Sequence, residues 1–221
     1  MSVAPACRCP VPRSLRRGPL LLALLAGLLS ACATQPPADA DHLCAIFDDK
    51  KKWFKRARAS EKTWGTPIPV LMAIVHQESR FVARARPPRR KILGIIPGSR
   101  PSNAYGYSQA LESTWQDYQR STGRYGADRD NFGDAIDFVG WYSDQSHRRN
   151  GIARNDAYRL YLAYHEGHGG YRRGTYRGKD WLRAVARKVA DRALRYQRQL
   201  ASCRQRLEKK RGWFRRRAPR A

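Results

Sequence analysis

From Asp180 onward the chain keeps one apolar stripe for 26 residues: Leu182, Val185, Ala186, Val189, Ala193, Tyr196, Leu200, Cys203 and Leu207 recur at helical steps. A stripe this long demands an α-helix with one face covered by other elements. Phe132, Ala135, Ile136, Val139 and Tyr142 form a second such face, with Gly151 as its C-cap. A third helix is predicted in "IPVLMAIVHQESRF", Ile68 to Phe81, with Thr66 as cap and its prolines tolerated in the first turn. There Leu71, Ile74, Val75 and Glu78 follow i, i+3, i+4, i+7 spacing. A helix lasting through Glu78 therefore turns this carboxyl toward the core, where losing water is costly unless the group is paired or protonated.

The remaining segments add to a mainly α chain. Residues 43–60 read as one helix, 108–121 as another, and "DAYRLYLAYHEG" as a third capped by Asn155. Residues 84–103 are rich in Pro, Gly and Arg and read as a long basic loop, with a short extended piece at Ile92–Ile96. No repeat period appears, and little of the chain is left for a sheet.

The N-terminus bears on compartment. A basic stretch, the apolar run "PLLLALLAGLL" and then "LSAC" read as a secretory signal too short to span a bilayer permanently. Leu29-Ser30-Ala31-Cys32 resembles a lipoprotein lipobox, which implies lipidation of Cys32. Ala33 is not an inner-membrane retention Asp, so the resemblance points to the outer membrane. The expected boundaries are a signal peptide over 1–31, a linker over 32–42, a folded domain over 43–207 and a basic tail over 208–221.

Export sharpens the meaning of the charge. The chain of 221 residues carries 44 Lys+Arg against 18 Asp+Glu, formally +26. Loss of Arg8, Arg13, Arg16 and Arg17 leaves 40 basic against the same 18 acidic residues, or +22. An exported chain rarely meets chromosomal DNA, so nucleic acid is not an expected partner. The basic clusters at Lys50–Arg58, Arg84–Arg100 and Lys209–Arg220 suit an anionic membrane surface or wall polymer; a solvated charged face remains the alternative. Cys44 and Cys203 are the even pair left after export, and in an oxidising compartment they are expected to form a disulfide.

Three short motifs follow one another: "ESRF" at a helix end, "AYGYSQALESTW" containing Gly106-Tyr107-Ser108-Gln109, and "YLAYHEGHGGY". Each is weak alone, and the Tyr158, Tyr161, Tyr164 series reads as core. In this order they resemble the soluble-type lytic transglycosylases of the lysozyme-like superfamily, whose catalytic domain carries E-S, G-x-x-Q and A-Y-N-x-G. The resemblance covers about Leu43 to Leu207. It implies an all-α, lysozyme-like domain with Glu78 as catalytic acid and base. It implies a glycan groove lined by Ser79, Tyr105, Gly106, Tyr107, Ser108, Gln109, Tyr164, His165 and Glu166, with Tyr164 aiming the carboxyl. His165 stands where the family has Asn, and residues 84–103 look like an insertion between the first two motifs.

The chemistry supports the same residue. Breaking a β-1,4-glycosidic bond needs a proton for the leaving oxygen, and a carboxyl supplies it at neutral pH only if its pKa is raised. Desolvation on an apolar helix face does that. Hydrolases usually add a second carboxylate; Glu166 is the one candidate near the third motif. His165 and His168 lack the one-turn spacing of a zinc pair, so no metal and no cofactor are expected. The expected activity is peptidoglycan cleavage between N-acetylmuramic acid and N-acetylglucosamine with 1,6-anhydro ends, by a monomer acting on glycan strands in the periplasm. A lysozyme-type hydrolase and a non-catalytic wall- or lipopolysaccharide-binding lipoprotein are the alternatives.

Overall fold

The computed structural model describes residues 35–89, 91–92 and 95–209. The expected signal segment, Cys32 and the chain beyond Lys209 lie outside these residues. Seven helices account for most of the described chain: α1 Leu43–Asp49, α2 Trp53–Trp64, α3 Ile68–Ser79, α4 Glu112–Thr122, α5 Phe132–Asn150, α6 Ala157–Arg173 and α7 Asp180–Lys209. The fold is all-α, as the periodicity requires. The one sheet among the described residues is a hairpin of two-residue strands, β1 Lys91–Ile92 and β2 Ile96–Pro97, paired Lys91 to Pro97 and Ile92 to Ile96. The described part of the basic stretch 84–103 is thus a loop around a minimal hairpin.

Helix α3 is the axis of the domain. Ile68 through His76 are all buried, because α2, α5, α6 and α7 pack around them. Helix α7 lays the expected stripe against α3 and α6, with Leu182, Ala186, Val189, Tyr196 and Leu200 at most 3% exposed. The disulfide Cys44–Cys203 ties α1 to α7, with Cα atoms 6.1 Å apart. Beside it, the Leu43 N–H donates to Gln199 Oε1 at 2.8 Å, and Arg206 grips both oxygens of Asp48 at 2.6 and 2.7 Å.

Several local expectations are corrected. Residues 43–60 are two helices rather than one. Lys50 leaves helical geometry after α1, and the bend lets Phe47 meet Phe54 edge-on at 5.4 Å. Thr66 does not cap α3: the N-cap is Pro67, and Glu61 of α2 accepts the Ile68 N–H at 2.9 Å. Asn155 does not cap α6 either; Asp156 does, accepting the Arg159 N–H at 2.9 Å. The helix expected from 108 begins at Glu112, because residues 105–110 form a turn closed by a bridge between Tyr105 and Ala110.

Candidate active site

Helix α3 runs through Glu78 and stops one residue later. Arg80 and Phe81 both take left-handed backbone angles, φ 49° and 63°, which side chains other than glycine rarely adopt. Burial holds Phe81 there: it is fully buried, its ring 5.6 Å from those of Trp53 and His76. The abrupt stop leaves Glu78 half-buried at the mouth of a cavity of about 560 Å³.

The cavity brings together parts of all three motifs. Glu78, Gln109, Tyr164, His165, Glu166 and Gly167 line it, with Phe138 and Tyr142 of α5 as apolar walls. Pro87 and Ser102 bring the basic stretch to its rim. Gly167 has φ 74°, breaking the helical path of α6 at the motif's last residue, so His165 and Glu166 stand at a kink.

Electrostatics separate the two carboxyls of this cavity. Burial pushes Glu78 up to about 7, with one hydrogen bond, from Tyr161, pulling the other way. The Tyr161 hydroxyl is itself raised, first by burial and then by the Glu78 charge. Glu166 has the opposite fate. Burial raises it, but hydrogen bonds from Lys179, Thr175 and His165 outweigh that and hold it down at about 2. Lys179 Nζ lies 2.8 and 2.9 Å from its two oxygens, and His165 Nδ1 lies 3.1 Å from Oε1. One carboxyl titrates near neutrality; the other is a fixed anion.

Other residues expected in the groove have different positions. Ser79 is buried, its hydroxyl donating to the carbonyls of Val75 at 3.2 Å and Tyr107 at 2.8 Å, so it clamps the helix end to the second motif. Tyr107 is a core residue, edge-on to Trp53 and Phe132 at 5.6 Å. Ser108 is fully buried, and its carbonyl accepts the Tyr164 hydroxyl at 2.6 Å. Gly106 does not open space for a ligand. A Cβ there would sit 2.0 Å from the Arg129 carbonyl oxygen, so its smallness serves a backbone crossing inside the protein. Tyr105 stands outside the lining, donating to Asp130 at 3.1 Å under the Arg86 guanidinium. Gln109 does line the cavity, but its amide nitrogen is used on Ala85 O and Gly106 O at 2.9 and 2.8 Å, leaving the amide oxygen to present.

Tyr164, expected to aim the carboxyl, is not the tyrosine hydrogen-bonded to Glu78; that is Tyr161, one helical turn earlier. Tyr164 spends its hydroxyl on Ser108, and Tyr161 bonds Glu78. Tyr161 was legible only as one of three tyrosines spaced by three, a pattern that core packing also produces. His165 and His168 do not converge: the first faces Trp181, with rings 5.2 Å apart, and the second stacks on Tyr142 at 4.3 Å. Among the described residues no group of three His, Cys, Asp or Glu could hold a metal ion.

A family model described as "Transglycosylase SLT domain" matches residues 20–203. No curated protein and no solved structure matches the chain.

Proposed function

The chain belongs to the transglycosylase SLT domain family, and from that premise we propose that it is a peptidoglycan lytic transglycosylase in which Glu78 is first acid and then base. The protonated carboxyl of Glu78 gives its proton to the glycosidic oxygen as the bond to C1 of N-acetylmuramic acid breaks. The carboxylate then takes the proton of that sugar's own 6-hydroxyl while its oxygen bonds to C1. A 1,6-anhydro ring closes, Glu78 regains its proton, and no water is consumed.

The observation that carries this reading is the split between the two carboxyls. Glu78 is raised to about 7, where it can give and retake a proton at neutral pH. A hydrolase of the two-carboxylate kind would need Glu166 as nucleophile or as base toward water. Lys179, Thr175 and His165 occupy both of its oxygens and hold it near 2, which makes it a poor base. The apolar walls of Phe138 and Tyr142 further favour a step without water.

Digestion of purified sacculi with product mass spectrometry tests the proposal. Muropeptides with 1,6-anhydro ends, lighter by one water than hydrolysis products, are expected. Free reducing ends would transfer the reading to a lysozyme-type hydrolase. Absence of glycan release by wild type as well as by Glu78→Gln would transfer it to a non-catalytic wall-binding protein. The proposed setting is the periplasm, with the chain tethered to the outer membrane through a lipid on Cys32. Cys32→Ser should move the protein from the membrane fraction to the soluble one.

A further inference from the structure

Both ends of the described chain lie beside one row of basic side chains. The linker doubles back along α1, where the Ala38 N–H donates to Asp49 Oδ2 at 3.2 Å, at the far end of that helix. Arg206, three residues before the last residue of α7, holds Asp48. Lys51 and Lys52 follow directly, at the bend into α2, and Lys55 and Arg56 stand in its first turn. All four are exposed, and no side chain of the four has a hydrogen bond or ion pair with any described residue. The acids around them are engaged elsewhere: Asp49 by Lys50 at 3.4 Å, Glu208 by Arg58 at 3.8 Å and Asp48 by Arg206 at 2.6 Å. The row reaches the next element too. Arg56 lies against Gly133 in the first turn of α5, and just before that helix Asp130 is paired with Arg84 at 3.3 Å. The uncancelled charge of this face is positive.

Chain length decides what such a face meets. Ala38 is six residues from Cys32, and six residues at full stretch span about 20 Å. With the proposed lipid on Cys32, the row beside Asp49 is therefore kept close to the leaflet that holds the lipid. Clustered Lys and Arg are drawn to anionic headgroups, each adding to the attraction. That attraction decays over about 8 Å at physiological ionic strength, so it acts only on a face that touches the leaflet, and a leash this short permits the touch. We propose that the face formed by Lys51, Lys52, Lys55 and Arg56 docks on anionic phospholipid headgroups, holding the folded domain against the membrane by a second contact besides the lipid. The inference rests on the proposed tether at Cys32 and not on the reaction assigned to Glu78.

The test is cosedimentation of the lipid-free chain from Thr34 onward, a compact unit of its own, with vesicles of phosphatidylethanolamine containing or lacking phosphatidylglycerol. Binding is expected only with phosphatidylglycerol present, and it should weaken as salt is raised. One variant carries Lys51→Gln, Lys52→Gln and Lys55→Gln together. At about fivefold per lysine, its binding should fall on the order of a hundredfold. A control carries Arg172→Gln, Arg173→Gln and Arg177→Gln, an equal loss of exposed charge near the start of α7. That start is roughly 40 Å along the helix from Lys209, so the control should bind within about threefold of the parent. Melting temperatures show that both variants fold. A control weakened as much as the lysine variant would overturn the proposal, since net charge alone would then explain binding. A folded lysine variant that binds like the parent would overturn it too, as would equal binding to vesicles without phosphatidylglycerol. Vesicle binding requires neither glycan cleavage nor the lipid, so failure of the lytic reading shows separately in the products from sacculi, and failure of the tether in the mass of Cys32.

Discussion

A carboxyl whose acidity matches the surrounding pH can give up a proton and recover it within one turnover, and burial raises Glu78 to about 7, which suits it to the proposed role. Activity should fall as pH rises through about 7, because the first step needs the protonated form. Stability should follow the same direction. The folded chain keeps the proton up to about 7, whereas an unfolded glutamate loses it near 4.5. The stabilisation is therefore fully present below 4.5 and lost as pH rises through the folded value. Glu78→Gln should lose activity by about 10²–10⁴-fold or more, yet above pH 7 it should be more stable than wild type by on the order of 2 kcal/mol. Equal melting temperatures at pH 8 would mean that Glu78 is better solvated than its position indicates. Tyr161 gives the same carboxylate its one opposing hydrogen bond. Tyr161→Phe should move the alkaline limb of the kcat/KM profile upward and lower kcat by about tenfold; a merely structural tyrosine would leave the limb in place.

At the scale of the elements, the site depends on two chain reversals that glycine or buried packing must hold. Gly106 adopts φ 80° while the chain crosses Arg129, and the Tyr107 N–H donates to the Arg129 carbonyl at 3.1 Å. Gly106→Ala places a methyl group on that carbonyl and strains the backbone besides. It should cost about 3 kcal/mol or more, read as a drop in melting temperature, and activity should fall because Gln109 and the Ser108 carbonyl move with the turn. This turn also marks how far sequence could reach. The helix of Glu78 and the stripe of α7 were legible, since each follows from a period set by burial. The positions of Ser79, Gly106, Tyr107 and Ser108 were not, because their motif is shared by residues that touch a ligand and residues that hold the motif in shape. Caps were misplaced by one residue: at Thr66 because a contact across the fold takes the first helical N–H, and at Asn155 because the adjacent Asp156 is an equally suitable local cap. The Ile68 N–H finds Glu61, and nothing in the spacing of residues 61 and 68 announces that.

Over the whole molecule, the disulfide joins Cys44 to Cys203 across 159 residues of sequence and so encloses the entire site. A loop that long restricts the unfolded chain strongly, by roughly 5 kcal/mol in the chain-entropy model, although measured losses are commonly 2–5 kcal/mol. The folded state has its own ties at the same junction. Gln199 accepts the Leu43 N–H at 2.8 Å, and Arg206 holds Asp48 through both oxygens. The bridge therefore works chiefly on the unfolded ensemble, and its loss should separate stability from activity. Cys203→Ser is expected to melt earlier by an amount equivalent to about 3–5 kcal/mol, yet to cleave glycan at near wild-type rate well below its melting temperature, since neither cysteine lines the cavity of Glu78. Melting curves with and without reductant, alongside rates on sacculi at low temperature, check both halves. Intact mass after alkylation decides the premise: two freely alkylated thiols in native, unreduced protein would show that the bridge does not form in the exported chain. A Cys203→Ser protein that melts like wild type would show that the unfolded chain is already held compact by other means. One that loses activity at low temperature would show that the α1–α7 junction reaches the cleft through α3, against which α7 packs.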